Sequence, residues 1–220
     1  MRSRVLDAFV AFLLLVMTAG ASATENGTML LEAARAGDAA KVESLIASGA
    51  PLEARDEAKR TALLIATRAN NIDAARALIA AGADVNAKDD IRDTPYLYAG
   101  AQGRIEILKA ILATGKADLK DTNRYGGTAL IPAAEKGHPE AVRMLIEAGV
   151  DIDHVNNLGW TALLEAVVLS EGGPIHQEIV GLLVDAGARN IPDRDGVTPL
   201  QHAQARGFAE ISERIAAGKR

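Results

Sequence analysis

An all-helical solenoid of about six helix-turn-helix units is the architecture this sequence predicts, and three observations predict it. Thr61-Ala62-Leu63, Thr94-Pro95-Tyr96, Thr128-Ala129-Leu130, Thr161-Ala162-Leu163 and Thr198-Pro199-Leu200 recur at spacings of 33, 33, 34, 33 and 37 residues, counting from Thr28-Met29-Leu30. A fixed period in this range is the signature of stacked repeats. Behind the triplets lie stretches with apolar residues at i, i+3 and i+4, such as Ala75, Leu78 and Ile79 or Val142, Leu145 and Ile146, which is the pattern of a helix with one buried face. Each of these stretches stops at a glycine: Gly49, Gly82, Gly115, Gly149 and Gly187.

Each element has a local reason. Threonine is a good N-cap because its hydroxyl accepts from an orphan backbone N–H, and proline costs nothing at the next position, where its missing donor is not needed. Thr94-Pro95 and Thr198-Pro199 follow that rule, and Gln201 is placed to complete a capping box with Thr198. The terminal glycines close the last carbonyls in the left-handed conformation. After each stop an extended stretch, such as Ala83 to Asp89 or Val150 to Asn156, leads to a hairpin-like turn. Gly126, Gly159 and Gly196 stand two residues before the next threonine, where positive φ is favoured. Lys59 and Arg92 hold the equivalent places, so those two turns are expected to be looser.

The units run approximately over 24–56, 57–89, 90–122, 123–156, 157–193 and 194–218. The first has no preceding finger and the last ends in Lys219-Arg220, so both read as caps. The fifth carries four surplus residues in Ser170 to His176, an insertion expected to emerge as a loop between helices.

Residues 1–23 are a segment apart. Arg2 and Arg4 precede the apolar run Ala8 to Met17, and the segment closes on Ala21-Ser22-Ala23. This is the pattern of a cleaved secretory signal. The run is about half of the ~20 residues needed to cross a bilayer, so no stable membrane insertion is expected after cleavage. The expected location is periplasmic or secreted. Without Arg2, Arg4 and Asp7, the 24 basic and 29 acidic residues fall to 22 and 28, a net charge of −6. Nucleic acid is not an expected partner for such a chain. Cysteine is absent and aromatic residues make up 3%, so stability rests on packing small aliphatic side chains without disulfides.

The Thr-Pro-Leu triplets, the Ala-Ala of the first helix, Gly137-His138, the Gly-Ala-Asp-Val-Asn-Ala tail at 82–87 and the period together resemble ankyrin repeats, in an exported bacterial form. The resemblance implies a fold whose first helices and finger tips hold other proteins. The histidine it expects after each triplet is replaced by Leu31, Leu64, Leu97, Ile131, Leu164 and Gln201. Apolar packing between neighbouring first helices is expected in its place. His138 stands at the Gly-His position and is expected to be structural.

No catalytic arrangement is visible. There is no Cys, the serines Ser44, Ser48, Ser170 and Ser212 lie in no glycine-flanked elbow, and the glycines follow the repeat and not a phosphate loop. His138, His154, His176 and His202 are 16, 22 and 26 residues apart, which is not metal-ligand spacing. The pairs Asp89-Asp90 and Asp151-x-Asp153 fall on the fingers, where carboxylates bond backbone groups. The expectation is therefore a non-catalytic, cofactor-free and metal-free module that binds a protein partner and is itself a monomer. Two rivals are an inhibitor that neutralises an exported toxic enzyme and an accessory protein holding a small molecule or cofactor. Position along the repeat selects Arg124, Tyr125, Asn157, Leu158, Trp160, Val168 and Leu169 as candidate partner-binding residues, and the insertion adds His176.

Overall fold

A computed structural model of the chain describes residues 24–218; the segment read as a secretory signal and the terminal Lys219-Arg220 lie outside the described residues. The chain divides between Asp84 and Val85 into two compact units. Both are built from helices and turns, and no strand occurs among the described residues.

In the first unit, α1 is helical from residue 24 to residue 36, and α2 (Ala39–Ala47), α3 (Ala62–Ala69) and α4 (Ile72–Ala80) follow. Thr28 does not cap α1. It lies inside the helix, exposed, with its hydroxyl donating to Thr24 O at 3.2 Å, because helical backbone is already established four residues upstream. Asp38 caps α2 by accepting from Lys41 N at 2.9 Å. α2 packs on α4 through Val42 and Leu45 on one side and Ala74, Ala75 and Leu78 on the other. Asn71 donates its amide to Ala34 O and Arg35 O at 2.8 and 3.1 Å, which satisfies carbonyls that the end of α1 leaves without helical partners.

The second unit holds α5 (Pro95–Ala101), α6 (Ile105–Ala113), α7 (Leu130–Glu135), α8 (Pro139–Ala148), α9 (Ala162–Val168), α10 (Pro174–Asp185), α11 (Pro199–Ala205) and α12 (Ala209–Ala217). Here α5, α7, α9 and α11 form one row and α6, α8, α10 and α12 a second, each helix packed on its neighbours in both directions. Leu97, Ile131 and Leu164, at the positions where the resemblance expects histidine, are buried, as are Leu31 and Leu64 in the first unit. Tyr96 is wholly buried at the apolar place of its triplet, and among the described residues its hydroxyl has no hydrogen-bond partner. Gly100 permits the contact of α5 with α7: a Cβ there would stand 2.9 Å from Ala129 Cβ and 3.3 Å from Leu145 Cδ1.

Four threonines cap as the sequence predicts. Thr61, Thr94, Thr161 and Thr198 accept from the amides of Leu64, Leu97, Leu164 and Gln201, and Gln201 closes the capping box. Thr128 is the exception, with its hydroxyl buried and without a partner among the described residues. Pro132 explains it. Proline cannot donate to the carbonyl four residues back and its ring crowds that group; the carbonyl is Thr128 O, which instead accepts from Ile131 N at 3.3 Å. α7 consequently starts only at Leu130.

The turns before the capping threonines share one design. Asp56, Asp89, Asn123, Asn156 and Asp193 each stand five residues ahead of a threonine. In every case the side-chain Oδ1 accepts from the amides two and four residues on. The backbone amide of the same residue donates to the carbonyl four residues on, at 2.9–3.1 Å. A second backbone bond, from the amide three residues on to the carbonyl of the same Asp or Asn at 2.9–3.2 Å, completes the closure of each finger where the sequence suggested a hairpin. Lys59 and Arg92 adopt φ of 59° and 68°, and both turns form the same bonds as those with glycine. The expectation of looser turns is thus corrected: the acidic side chain at the start of the turn holds the backbone even where a Cβ opposes positive φ.

Asp89→Ala should leave Ile91 N and Asp93 N without an acceptor and lower unfolding stability by about 1–3 kcal/mol, whereas Asp89→Asn should retain most of it. Urea unfolding of the three proteins checks this.

Candidate functional site

The fingers of the fourth, fifth and sixth repeats are joined to one another at their tips. Asn157 N donates to Tyr125 O at 2.9 Å, the Arg194 guanidinium donates to Asn157 O, and His154 Nε2 lies 2.7 Å from Gly126 O, which places a proton on that nitrogen. Two glycines make the approach sterically possible. A Cβ on Gly126 would lie 2.4 Å from Asn157 Oδ1, and one on Gly159 2.8 Å from Arg194 Cγ. On this joined strip Tyr125 and Leu158 are 55% and 54% exposed. The Arg124 guanidinium lies over the Tyr125 ring, 4.7 Å from its centroid, a cation–π contact that restrains both side chains. Trp160 sits at the finger base, half-buried, with its amide donating to Asn156 Oδ1 at 3.1 Å.

The remaining candidates fall elsewhere. Val168, half-buried, and Leu169, 50% exposed, lie at the C-terminal end of α9, separated from Trp160 by about 10 Å of helix. Arg206 gathers the carbonyls of Val167, Val168 and Ser170 at 2.8, 2.6 and 2.7 Å, and its guanidinium lies over the Phe208 ring. The insertion passes beneath that ring, since a Cβ on Gly172 would lie 2.6 Å from Phe208. His176 belongs to the first turn of α10, with Nε2 3.0 Å from Glu135 O. It performs the duty that Asn71 performs in the first unit, occupying a carbonyl at the end of the first helix of the preceding repeat.

The other histidines are likewise engaged. The His138 ring packs on Gly103, where a Cβ would come within 2.8 Å; burial holds its basicity below the usual value, with Lys136 and Arg104 adding to the effect. His202 Nε2 meets Asp193 Oδ2 at 2.7 Å, a bond that lowers the Asp193 pKa. Asp89 is a turn acceptor, and Asp153 bonds Arg189 at 2.6 Å. Among the described residues no group of three His, Cys, Asp or Glu gathers as a metal site, and no helix is long and apolar enough to cross a membrane.

One residue beside the strip escapes a reading by repeat position. Glu165, in α9, is only 5% exposed, and its Oε1 accepts from Asn156 Nδ2 at 2.8 Å. Burial and the Glu135 carboxylate push its pKa up from 4.5 to about 7, against the smaller opposing effect of the Asn156 bond. The signal in the sequence is a carboxylate four residues after a capping threonine, where the second to fourth repeats place Ile65, Tyr98 and Pro132.

Capped helix pairs, stacked in two rows and presenting bonded finger tips, define a helical-repeat module. The sequence profile described as ankyrin repeats (3 copies) matches residues 6–89 and 96–189, and the chain belongs to the ankyrin-repeat family. Among solved structures, an ankyrin repeat domain from Acinetobacter baumannii AYE is 58% identical with a TM-score of 0.83, the match covering 86% of this chain and 96% of that domain. The ankyrin repeat domain of Bcl-3, a member of the IkappaB protein family, is 28% identical with a TM-score of 0.78, over 87% and 86% of the two chains. The ankyrin repeat protein YahD of Escherichia coli (strain K12) is 46% identical over 106 residues, 47% of this chain. The chain spans 53% of YahD and 14% of the mouse protein fem-1 homolog A-like, so it covers about half or less of these curated relatives. Ankyrin repeats are protein-interaction modules, and the fold is generally non-catalytic.

The raised pKa of Glu165 gives stability a definite pH dependence. The folded protein holds this proton in a range where the unfolded chain releases it, so the contribution is fully present below pH 4.5 and is lost as pH rises through about 7. Glu165→Gln should flatten that decline and be about 1–3 kcal/mol more stable than wild type at alkaline pH, with little gain in acid. Urea unfolding of both proteins on either side of this window measures it.

Proposed function

We propose that this chain is a non-catalytic protein-binding module acting outside the cytoplasm, most concretely in the periplasm, and that its partner docks on the finger tips of the fourth to sixth repeats. The observation that carries the reading is the joined strip. Tyr125 and Leu158 are large, apolar and half or more exposed, yet they stand on turns already tied by Asn156, Asn123 and the Asn157–Tyr125 backbone bond. Pre-ordered side chains lose little entropy on association, and a preorganised aromatic anchor is where interface energy concentrates. Arg124 adds a cation beside the anchor. Trp160 contributes from the finger base, while Val168 and Leu169 extend the contact only to a partner long enough to follow α9. The expected location outside the cytoplasm rests on the basic, apolar and small-residue order of residues 1–23.

The double variant Tyr125→Ala, Leu158→Ala should keep the wild-type far-ultraviolet circular dichroism and melting temperature. It should lose partner recovery by crosslinking in cells by at least about thirtyfold, the equivalent of one hot-spot residue of about 2 kcal/mol. Unchanged recovery would refute the tip surface. Osmotic-shock fractionation of cells making the full chain should release a protein beginning at Thr24; an uncleaved chain in the inner membrane or cytoplasm would refute export.

A further inference from the structure

The fifth finger is fastened by a group that can change its charge. Asn156 Oδ1 accepts from Leu158 N at 2.9 Å and Trp160 N at 3.1 Å, and Asn156 Nδ2 donates to Glu165 Oε1 at 2.8 Å. The carboxyl of a buried helix residue thereby orients the amide on which the turn depends. The sixth repeat uses a different pair here, His202 with Asp193.

Glu165 has no cation to match it. Among the described residues no Lys, Arg or His forms an ion pair with Glu165 or Glu135. On the finger itself His154 is held by Gly126 O and Asp153 by Arg189, and at the end of α10 Asp185 pairs with Arg214. On α7, Glu135 repels Glu165, and Lys136 at the helix end is exposed. On α10, His176 turns to Glu135 O and Glu178 pairs with Arg143. On α11, His202 is held by Asp193, and beyond it Arg206 is held by three backbone carbonyls. An ionised carboxylate so placed has one neutral amide donor to offset the loss of water and a like charge nearby, which favours either taking a proton or leaving the site.

We propose that Glu165, Glu135 and Asn156 form a proton-operated latch on the fifth finger. With Glu165 protonated, it stays packed and holds Asn156 with the turn that carries Leu158 and Trp160; ionised, Glu165 swings to water and frees the turn. The elevated pKa of about 7 sets the working range near neutrality. In the latched state the tip strip is ordered, so binding there strengthens on acidification. That last consequence rests on the tip-binding reading above. The latch itself does not, and its test reads the finger without a partner.

Trp160 is the chain's single tryptophan, so its fluorescence reports this finger alone. In the full chain, emission should change with one midpoint near neutrality between about pH 5.5 and about pH 8.5. After correction for base catalysis, exchange of the Leu158 and Trp160 amides should be about tenfold faster above the midpoint than below it. Glu165→Gln should abolish both changes and keep the finger latched, and Glu135→Gln should move the midpoint to lower pH. Carbon-13 carboxyl titration of the wild-type protein supplies Glu165's own midpoint even if a variant fails to fold. Flat wild-type fluorescence and exchange, a Glu165 midpoint below about pH 5, or a transition surviving unchanged in Glu165→Gln would each overturn the latch.

Discussion

Each finger hangs on one side-chain oxygen. Asp56, Asp89, Asn123, Asn156 and Asp193 place an Oδ1 where it accepts from two backbone amides of the turn. A turn of this kind has no ladder to satisfy its amides, and amides without acceptors cost more than the bonds they replace. The Asx residue therefore performs locally what a second strand performs in a sheet. In four of the five fingers the turn ends at a threonine that caps the next helix, so there the same bond fixes where that helix begins.

That constraint explains which positions tolerate departure. Lys59 and Arg92 enter the left-handed region although glycine would do so more easily, because Asp56 and Asp89 hold both turns. Gly126 and Gly159 have a second reason to be glycine: the neighbouring finger presses Asn157 and Arg194 against them. Positive φ alone can be met by other residues, whereas a Cβ at Gly126 or Gly159 would also force the Asn157 or Arg194 side chain to shift. The tip strip is thus defined by close approach as much as by the apolar residues it displays.

Much of the fold was legible because its signals are local and repeated. Caps at Thr61, Thr94, Thr161 and Thr198, the Gln201 capping box and the glycine stops all depend on residues within four positions of each other. Legibility failed where a second local preference competed. Pro132 displaces the start of α7 and strands the Thr128 hydroxyl, and helix upstream of Thr28 leaves that threonine nothing to cap. The candidate site was legible only in part. Repeat position marks Tyr125 and Leu158 as tip residues, but it cannot show that Asn157 bonds Tyr125, because that bond depends on how two fingers are spaced. His176 was grouped with the insertion by sequence, yet it lies in α10 and serves Glu135 O, 41 residues away.

Glu165 carries that point to its end. In sequence its one distinguishing mark is its place four residues after a capping threonine, which does not by itself separate a buried carboxyl from exposed glutamates such as Glu140 or Glu147. Its properties arise first from burial and then from two contacts across the fold, the Glu135 charge on α7, which adds to the effect of burial, and the Asn156 amide on the finger, which opposes it. A scaffold that needed only packing has no use for a carboxyl here, and the second to fourth repeats place Ile65, Tyr98 and Pro132 instead. Burying a carboxyl instead costs stability at neutral pH, and the group that gains is the finger whose turn it orients. The structural cost and the displayed surface therefore meet in one residue, which couples the protonation of the interior to the order of the tips.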